Sequence, residues 1–458
     1  MNIKKIQTIL HDKFNLNATS NVAVVGLGVT GFSIACFLSK LGIPFYMLDS
    51  RENPEGKNAF VQQFSAVTLH LGAFSIKNFE QATHLMVSPG LSLNEFAIAT
   101  SLKNNVPLVS DVDIFSVIVS VPIIAITGAN GKSTVTTMLG DMATACGKKT
   151  VIGGNLGTPV LDLLSDDAEL YVLELSSFQL ERTRMLNAAA ATVLNISVDH
   201  LDRYQNLAEY AQAKQRIFAG NGVMVINMDD PMVCSMQHAH RTTVGFSVKG
   251  HADFYVSVVE DQEYLMHHTQ PLMPVSDLPL EGKHNVANAL AALALGLAVG
   301  LDGIKMCDAL QCFEALAHRM QRVSTKKNIT WVNDSKATNI GACIAALEGY
   351  DKKVILIAGG DGKGADMNEL AAVIHVKAKA VILIGKDAPA IEAALNQLPI
   401  IVPAYHAESM DEVVAIAAYI AQAHDTVLLS PACASLDQYK NYQDRGQQFI
   451  QAIERLVV

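Results

Sequence analysis

Short apolar runs recur along the chain, and most of them stop at a glycine-rich or polar turn before apolar residues of helical period begin. Such alternation predicts parallel sheets with helices packed against them. In the first hundred or so residues the runs are 21–25, 44–48 and 85–87. A second series, 123–127, 171–174 and 193–196, leads into a helix expected over 207–218, which places Tyr210, Lys214 and Ile217 on one face. The pattern restarts at 329–333 and continues through 354–358, 380–384 and 426–429, again predicting a mostly parallel sheet. Three series predict three α/β domains, divided at 1–111, 112–315 and 316–458. The length of 458 residues agrees, at about 150 residues per domain.

Two longer apolar stretches, 112–127 and 286–301, need a check as membrane spans. Each is shorter than about 18 residues, and they contain Asp113 and Pro122, or Asn288, so both read as buried core. No membrane insertion is expected. Half of the residues are apolar and 17% are charged, a composition suited to packed cores and unlike that of disordered chains. The net charge of −10 would on average repel nucleic acid and anionic membranes, so neither is expected as a partner. Seven scattered cysteines without a C-x-x-C pair read as reduced thiols, and M-N-I-K-K-I-Q-T-I-L lacks the apolar core of a secretory signal. Both point to the cytoplasm.

The densest chemistry lies at I-I-A-I-T-G-A-N-G-K-S-T, residues 123–134, where an apolar strand runs into a glycine-rich turn. Gly128, Asn130 and Gly131 would let backbone N–H groups close around phosphate, with Lys132 reaching the β- and γ-phosphates and Ser133 offering its hydroxyl to Mg²⁺. Thr134 completes the motif. Ile126 stands where a P-loop usually has its first glycine.

Near the N-terminus, G-L-G-V-T-G at 26–31 follows the first strand, and Asp49 ends the next strand some twenty residues later. This is dinucleotide-fingerprint spacing, in which glycines admit a diphosphate and the carboxylate reaches a ribose. It does not distinguish NAD from a nucleotide sugar. Ser50 and Arg51 could contact base or ribose, and Ser88-Pro89-Gly90 ends a strand at the same sheet edge.

Glu174 closes an otherwise apolar strand, where a carboxylate is costly unless paired or metal-bound, and it suits the Mg²⁺ carboxylate that a P-loop enzyme needs. S-V-D-H-L-D-R-Y at 197–204 gathers Asp199, His200 and Arg203, with His200 a candidate metal ligand. Asn288, near the start of the alanine-rich helix, could cap backbone N–H groups or read an adenine edge. In the last domain, three polar segments follow strands at one sheet edge: N-D-S-K-A-T-N from 333, G-G-D-G-K from 359 and S-P-A-C-A-S-L from 430. Lys336, Lys363, Thr338 and Ser435 form a candidate cradle for a carboxylate substrate. Arg319 is placed to reach ATP phosphates from a second domain, which would require closure.

Taken in order, T-G-A-N-G-K-S-T, E-L-S-S-F-Q-L-E, N-I-S-V-D-H-L-D-R-Y, G-K-H-N-x-x-N, H-R-M, N-D-S-K-A-T-N, G-G-D-G-K and S-P-A-C-A-S-L-D-Q-Y resemble the Mur ligases, from about Val22 to Phe449. The resemblance implies a Rossmann-like domain binding a UDP-sugar, a central P-loop ATPase domain and a Rossmann-like domain binding an amino acid. Within the family, N-D-S-K-A-T-N and L-S-P-A-C-A-S-L-D-Q are similar to members that add D-glutamate to UDP-N-acetylmuramoyl-L-alanine through an acyl phosphate. By resemblance, Val29, Thr30, Asp49, Ser50, Arg51, Ser88, Pro89, Gly90 and Asn155 go to the UDP-sugar. Asn288, Arg319 and Asp334 join the P-loop on ATP, while Thr338, Lys363, Ser435, Leu436 and Tyr442 go to D-glutamate.

Two Mg²⁺ ions are implied, one held by Ser133 and Glu174 and one by His200 and Lys214, the lysine carried as a carbamate formed from CO₂. A monomer is expected. Tyr439 and Tyr442 stand where the family motif has phenylalanine, and the first twenty or so residues fall outside the resemblance. A dehydrogenase, which would bind NAD at 26–31 and turn over no ATP, is the competing reading from another class. A folate polyglutamylating ligase competes within the fold.

Overall fold

The computed structural model describes residues 2–456 apart from 200–202, 281, 315, 351 and 400. Among the described residues the strands form three sheets. The first runs Leu69–Leu71, Phe45–Asp49, Val22–Val25, His84–Val87, all parallel. Its two inner strands, Phe45–Asp49 and Val22–Val25, are buried on both faces apart from Phe45, which is why they read as near-continuous apolar runs without alternation.

The second sheet has nine strands. Thr150–Gly154, Leu170–Glu174, Ile123–Thr127, Ala190–Val193, Val223–Asn227 and Thr243–Ser247 are parallel neighbours. Phe254–Val259 continues the parallel order, and Gln262–His267 and Gln270–Pro274 then meander antiparallel. The sequence reading did not anticipate this antiparallel edge. The third sheet runs Gln321–Ser324, Thr330–Asn333, Thr426–Leu429, Val354–Gly359, Ala378–Ile384, Ala404–His406, parallel except for its first pair. Separate apolar clusters cover its two faces, as a doubly wound sheet requires.

The apolar stretch at 112–127 divides into a helix, Asp111–Ile118, and the strand Ile123–Thr127. Ser110 starts that helix with a capping box closed by Asp113. The stretch at 286–301 lies mostly in the helix Lys283–Ala298, which is buried nearly all round between the P-loop helix Lys132–Ala145 and the sheet. No helix among the described residues is long and apolar enough to cross a membrane.

Helix Ile3–Phe14 buries Ile6 and Leu10 and packs on Asp111–Ile118, while the Phe14 carbonyl accepts from the His84 ring at 2.8 Å. The N-terminal segment, to which sequence assigned no role, is therefore part of the apolar cluster that joins the first two sheets. The strand expected at 193–196 also differs. It ends at Val193, because Asn195 leaves the ladder to hold the glycine-rich turn: its carbonyl and Oδ1 accept the N–H groups of Ala129 and Asn130 at 2.9 and 2.8 Å.

Candidate active site

In a parallel sheet, turns after the carboxyl ends of strands face one edge, and here the second and third sheets turn those edges toward each other. Between them lies a cavity of about 580 Å³, lined from the central domain by residues 129–134, Asn155, Glu174, Asp199, Lys214 and Asn288. Arg319, Asp334, Lys336, Thr338, Asn339 and Lys363 line it from the last.

The glycine-rich turn is built by Gly128 at φ +157° and Gly131 at φ +82°. Ile126, in place of the usual first glycine, is a buried strand residue, and the bend falls at Gly128. A Cβ on Gly131 would also collide with Asn288 Oδ1, so the helix Lys283–Ala298 sits directly against the loop. Lys132 Nζ donates to the carbonyls of Gly128 and Ala129 at 2.9 and 2.8 Å. Burial pushes its pKa down, with Glu174 and Asp199 opposing.

Glu174 is 2% exposed. Ser133 Oγ donates to its Oε2 and Asn155 Nδ2 to its Oε1, both at 2.5 Å. Asn155 therefore lines the central cavity, and does not join the other residues assigned to the UDP-sugar. Lys214 is fully buried, donates to the Gly128 carbonyl at 2.9 Å and lies over the Tyr210 ring at 4.6 Å. Burial, then repulsion from Lys132, pushes its pKa well below the usual lysine range. His200 lies outside the described residues.

The facing domain contributes opposite charges. Lys363 Nζ donates to Asp199 Oδ1 at 2.9 Å, and Asn339 Nδ2 donates to Asp199 Oδ2 at 3.2 Å and to Asn130 Oδ1 at 3.1 Å. Asp334 accepts from Ser430 Oγ at 2.8 Å and the Met320 N–H at 3.2 Å, and burial raises its pKa to about 7. Burial lowers the pKa of Arg319, and brings that of Lys336 down to about 8. Tyr442 meets the cavity through Lys336, whose Nζ lies over its ring at 4.1 Å. Ser435 is buried and Leu436 exposed, and neither lines the cavity.

A second cavity, of about 480 Å³, lies at the carboxyl edge of the first sheet. Val29, Thr30, Asp49, Ser50, Arg51, Ser88, Pro89 and Gly90 all line it. Asp49 is already engaged: it accepts the Leu27 N–H at 2.7 Å, and Arg51 Nε and Nη2 clamp its two oxygens at 2.8 and 2.7 Å. Sequence reasoning missed the connection between domains here. The Leu91 carbonyl accepts from both Arg182 and Arg203, two arginines of the central domain. Arg203 was visible as part of a polar strand end, whereas Arg182 gave no signal.

Among the described residues no three His, Cys, Asp or Glu side chains converge as a metal cage. The Ser133 and Glu174 oxygens are hard donors beside a phosphate loop, which fits Mg²⁺, an ion that commonly takes one or two carboxylates and completes its shell with phosphate and water.

Comparison with known proteins follows the same three-part division. The Mur ligase middle domain matches residues 126–296, the N-terminal domain of MurD-like Mur ligases matches 20–110, and the glutamate ligase domain of Mur ligases matches 318–433. The UDP-N-acetylmuramoylalanine--D-glutamate ligase of Methylococcus capsulatus is 49% identical over 446 residues, covering 97% of this chain and 96% of its own. The protein of the same name from Nitrosococcus oceani is 45% identical, covering 98% of this chain and all of its own. Among solved structures, the UDP-N-acetylmuramate-alanine ligase MurC of Thermotoga maritima shares the fold with a TM-score of 0.60 at 19% identity, over 95% of this chain and 99% of its own. Full-length identity at this level, carried through all three domains, places the chain in the Mur ligase family.

Proposed function

We propose that this chain is an ATP-dependent ligase that joins D-glutamate to UDP-N-acetylmuramoyl-L-alanine, releasing ADP and phosphate, in peptidoglycan precursor synthesis. The observation that carries the reading is the shared cavity. One wall is a P-loop with a buried carboxylate, and the other sets Arg319, Lys336 and Lys363 with the Thr338 hydroxyl on a separate domain. A protein that only bound nucleotide would need the first wall alone. The relatives named for D-glutamate ligation supply the amino acid and the acceptor.

On this reading the UDP portion occupies the cavity at the carboxyl edge of the first sheet, and the alanyl carboxylate reaches the cavity between the second and third sheets. A carboxylate oxygen attacks the γ-phosphorus of ATP, ADP departs, and an acyl phosphate forms. The amine of D-glutamate then attacks the acyl carbon, phosphate leaves with the bonding pair, and the ammonium proton is lost. Both transfers bring anions together, and Lys132 and Arg319 would offset that charge. Mg²⁺, held by Ser133 and Glu174, would supply further charge neutralisation at the phosphates. Asn288 and Asp334 would hold the nucleotide, and Thr338, Lys363, Ser435, Leu436 and Tyr442 the amino acid.

Lys214 as an ammonium cannot ligate a second ion. Its depressed pKa favours the neutral amine, whose nitrogen can attack CO₂, forming an N–C bond and releasing a proton to give a carbamate oxygen donor; with His200 this would hold the second ion. The chain would act as a cytoplasmic monomer.

The dehydrogenase alternative is disfavoured by the central cavity: hydride transfer to a nicotinamide has no use for a P-loop with a buried Ser133–Glu174 pair facing a second domain. The deciding experiment is phosphate release from ATP with Mg²⁺ and UDP-N-acetylmuramoyl-L-alanine, comparing D-glutamate, L-glutamate and no amino acid. Release that requires the D-enantiomer and the UDP substrate is expected. Release with L-glutamate alone, or with neither addition, overturns the assignment.

A further inference from the structure

Three loops that carry proposed substrate residues meet at one buried side chain outside the cavity. Arg445, on helix Tyr442–Arg455, is 0% exposed. Its Nε donates to Ser335 Oγ at 3.0 Å, and its Nη2 to the carbonyls of Ser335 and Cys433 at 2.9 and 3.2 Å. Its Nη1 donates to the carbonyls of Cys433 and Gly359 at 3.2 and 3.5 Å. Every acceptor is neutral. A guanidinium taken out of water without a bonded carboxylate is costly, and burial lowers its pKa to about 10. An apolar side chain of similar volume would avoid that cost, so stability alone does not account for an arginine here.

The acceptors indicate what the fork does. Ser335 lies between Asp334 and Lys336 in the segment that leads to Thr338. Gly359 ends the strand whose turn leads to Lys363, and Cys433 precedes Ser435 by two residues. The same helix start ties in two more points: Ser335 Oγ donates to the Tyr442 carbonyl at 2.8 Å, and Asn333 Nδ2 to the Gly446 carbonyl at 3.1 Å. Gly446 admits His318, the neighbour of Arg319, where a Cβ would collide with the ring.

We infer that Arg445 is a positioning residue for the amino-acid half of the site, its planar fork fixing the spacing of the three loops that carry Thr338, Lys363 and Ser435. The inference rests on the ligase reading above. Lysine cannot replace it, because three donors radiating from one nitrogen cannot span carbonyls on three loops in a plane.

The test is steady-state kinetics of Arg445→Lys and Ser335→Ala beside the wild-type protein, with thermal unfolding of each. Arg445→Lys is expected to raise KM for D-glutamate about tenfold or more, since small displacements of positioning groups are costly. KM for the UDP substrate should stay within about twofold, because its nucleotide end binds on another domain. Ser335→Ala, which removes one acceptor of the fork, should move the same constant in the same direction by less, and it carries the test if Arg445→Lys does not fold. A lower Tm with KM for D-glutamate unchanged in the folded variants would reduce Arg445 to a structural role and overturn the inference. Wild-type protein that turns over with neither glutamate enantiomer would remove the ligase reading, and this one with it.

Discussion

Asp334 is buried with only hydroxyl and N–H donors bonded to it, so its charged form is disfavoured in the folded protein. Its folded pKa of about 7 lies above the usual 3.8 for an aspartate. The native state therefore holds this proton more tightly than the unfolded chain does. The stabilisation from protonation is complete below about pH 4 and is lost as pH rises toward 7. Asp334→Asn keeps the shape and removes the titration. The Tm of the variant relative to wild type should rise between about pH 4 and pH 7 and level off above; a difference flat across that range would show that Asp334 ionises normally. Lys214 presents the opposite case, a cation made unfavourable by burial and by Lys132. If its amine carries CO₂, turnover should fall in CO₂-depleted buffer and recover on adding bicarbonate. Lys214→Arg, permanently charged, should lose about 100-fold or more in kcat and show no bicarbonate response.

The glycine-rich turn and the helix behind it form one unit. Gly131 has a left-handed φ of +82° and touches Asn288, so its replacement acts on both. Gly131→Ala should cost about 1–2 kcal/mol from backbone conformation alone, and should raise KM for ATP more than for the other substrates. Equal effects on all three constants would argue against a phosphate-binding role. The N-terminal helix makes a purely energetic contribution. Leu10 is fully buried against the helix Asp111–Ile118 and its surroundings, so Leu10→Ala should lower the unfolding free energy by about 2–5 kcal/mol in urea titration. A value near zero would mean that this helix is not part of the cooperative unit.

The central and last domains meet across the cavity through specific polar groups. Asn339 is at once the N-cap of helix Ile340–Glu348 and a donor to Asn130 and Asp199 of the central domain. Asn339→Ser keeps a good cap and removes the reach across the cavity. The expected result is a Tm close to wild type, with a larger radius of gyration by solution X-ray scattering in the absence of substrates. An unchanged radius would assign closure to the Lys363–Asp199 pair or to other contacts. That pair has a further consequence: the lysine proposed to meet the amino acid is already bonded to a carboxylate at 2.9 Å, so binding there would be an exchange of partners.

The chain by itself determined the features whose chemistry is contiguous. A P-loop is a run of neighbouring residues, strand and helix alternation has a local period, and the glycine fingerprint and Asp49 are separated by little more than one helix. These marked the phosphate loop, Glu174 at a strand end and, in the first-domain cavity, Asp49, Ser50, Arg51, Ser88, Pro89 and Gly90, while Val29 and Thr30 follow only from the family resemblance. What the tertiary structure decided is non-local. Asn339 caps a helix locally, and its bond to Asn130 spans 209 positions. Arg445 reads as one polar residue of an amphipathic helix, and its bond to Ser335 spans 110. Asn195 leaves its strand because the loop it holds lies 65 residues away. In each case local pattern fixes the backbone state, but the partner of a polar side chain depends on which sheet edges face each other. Only packing of the whole chain sets that.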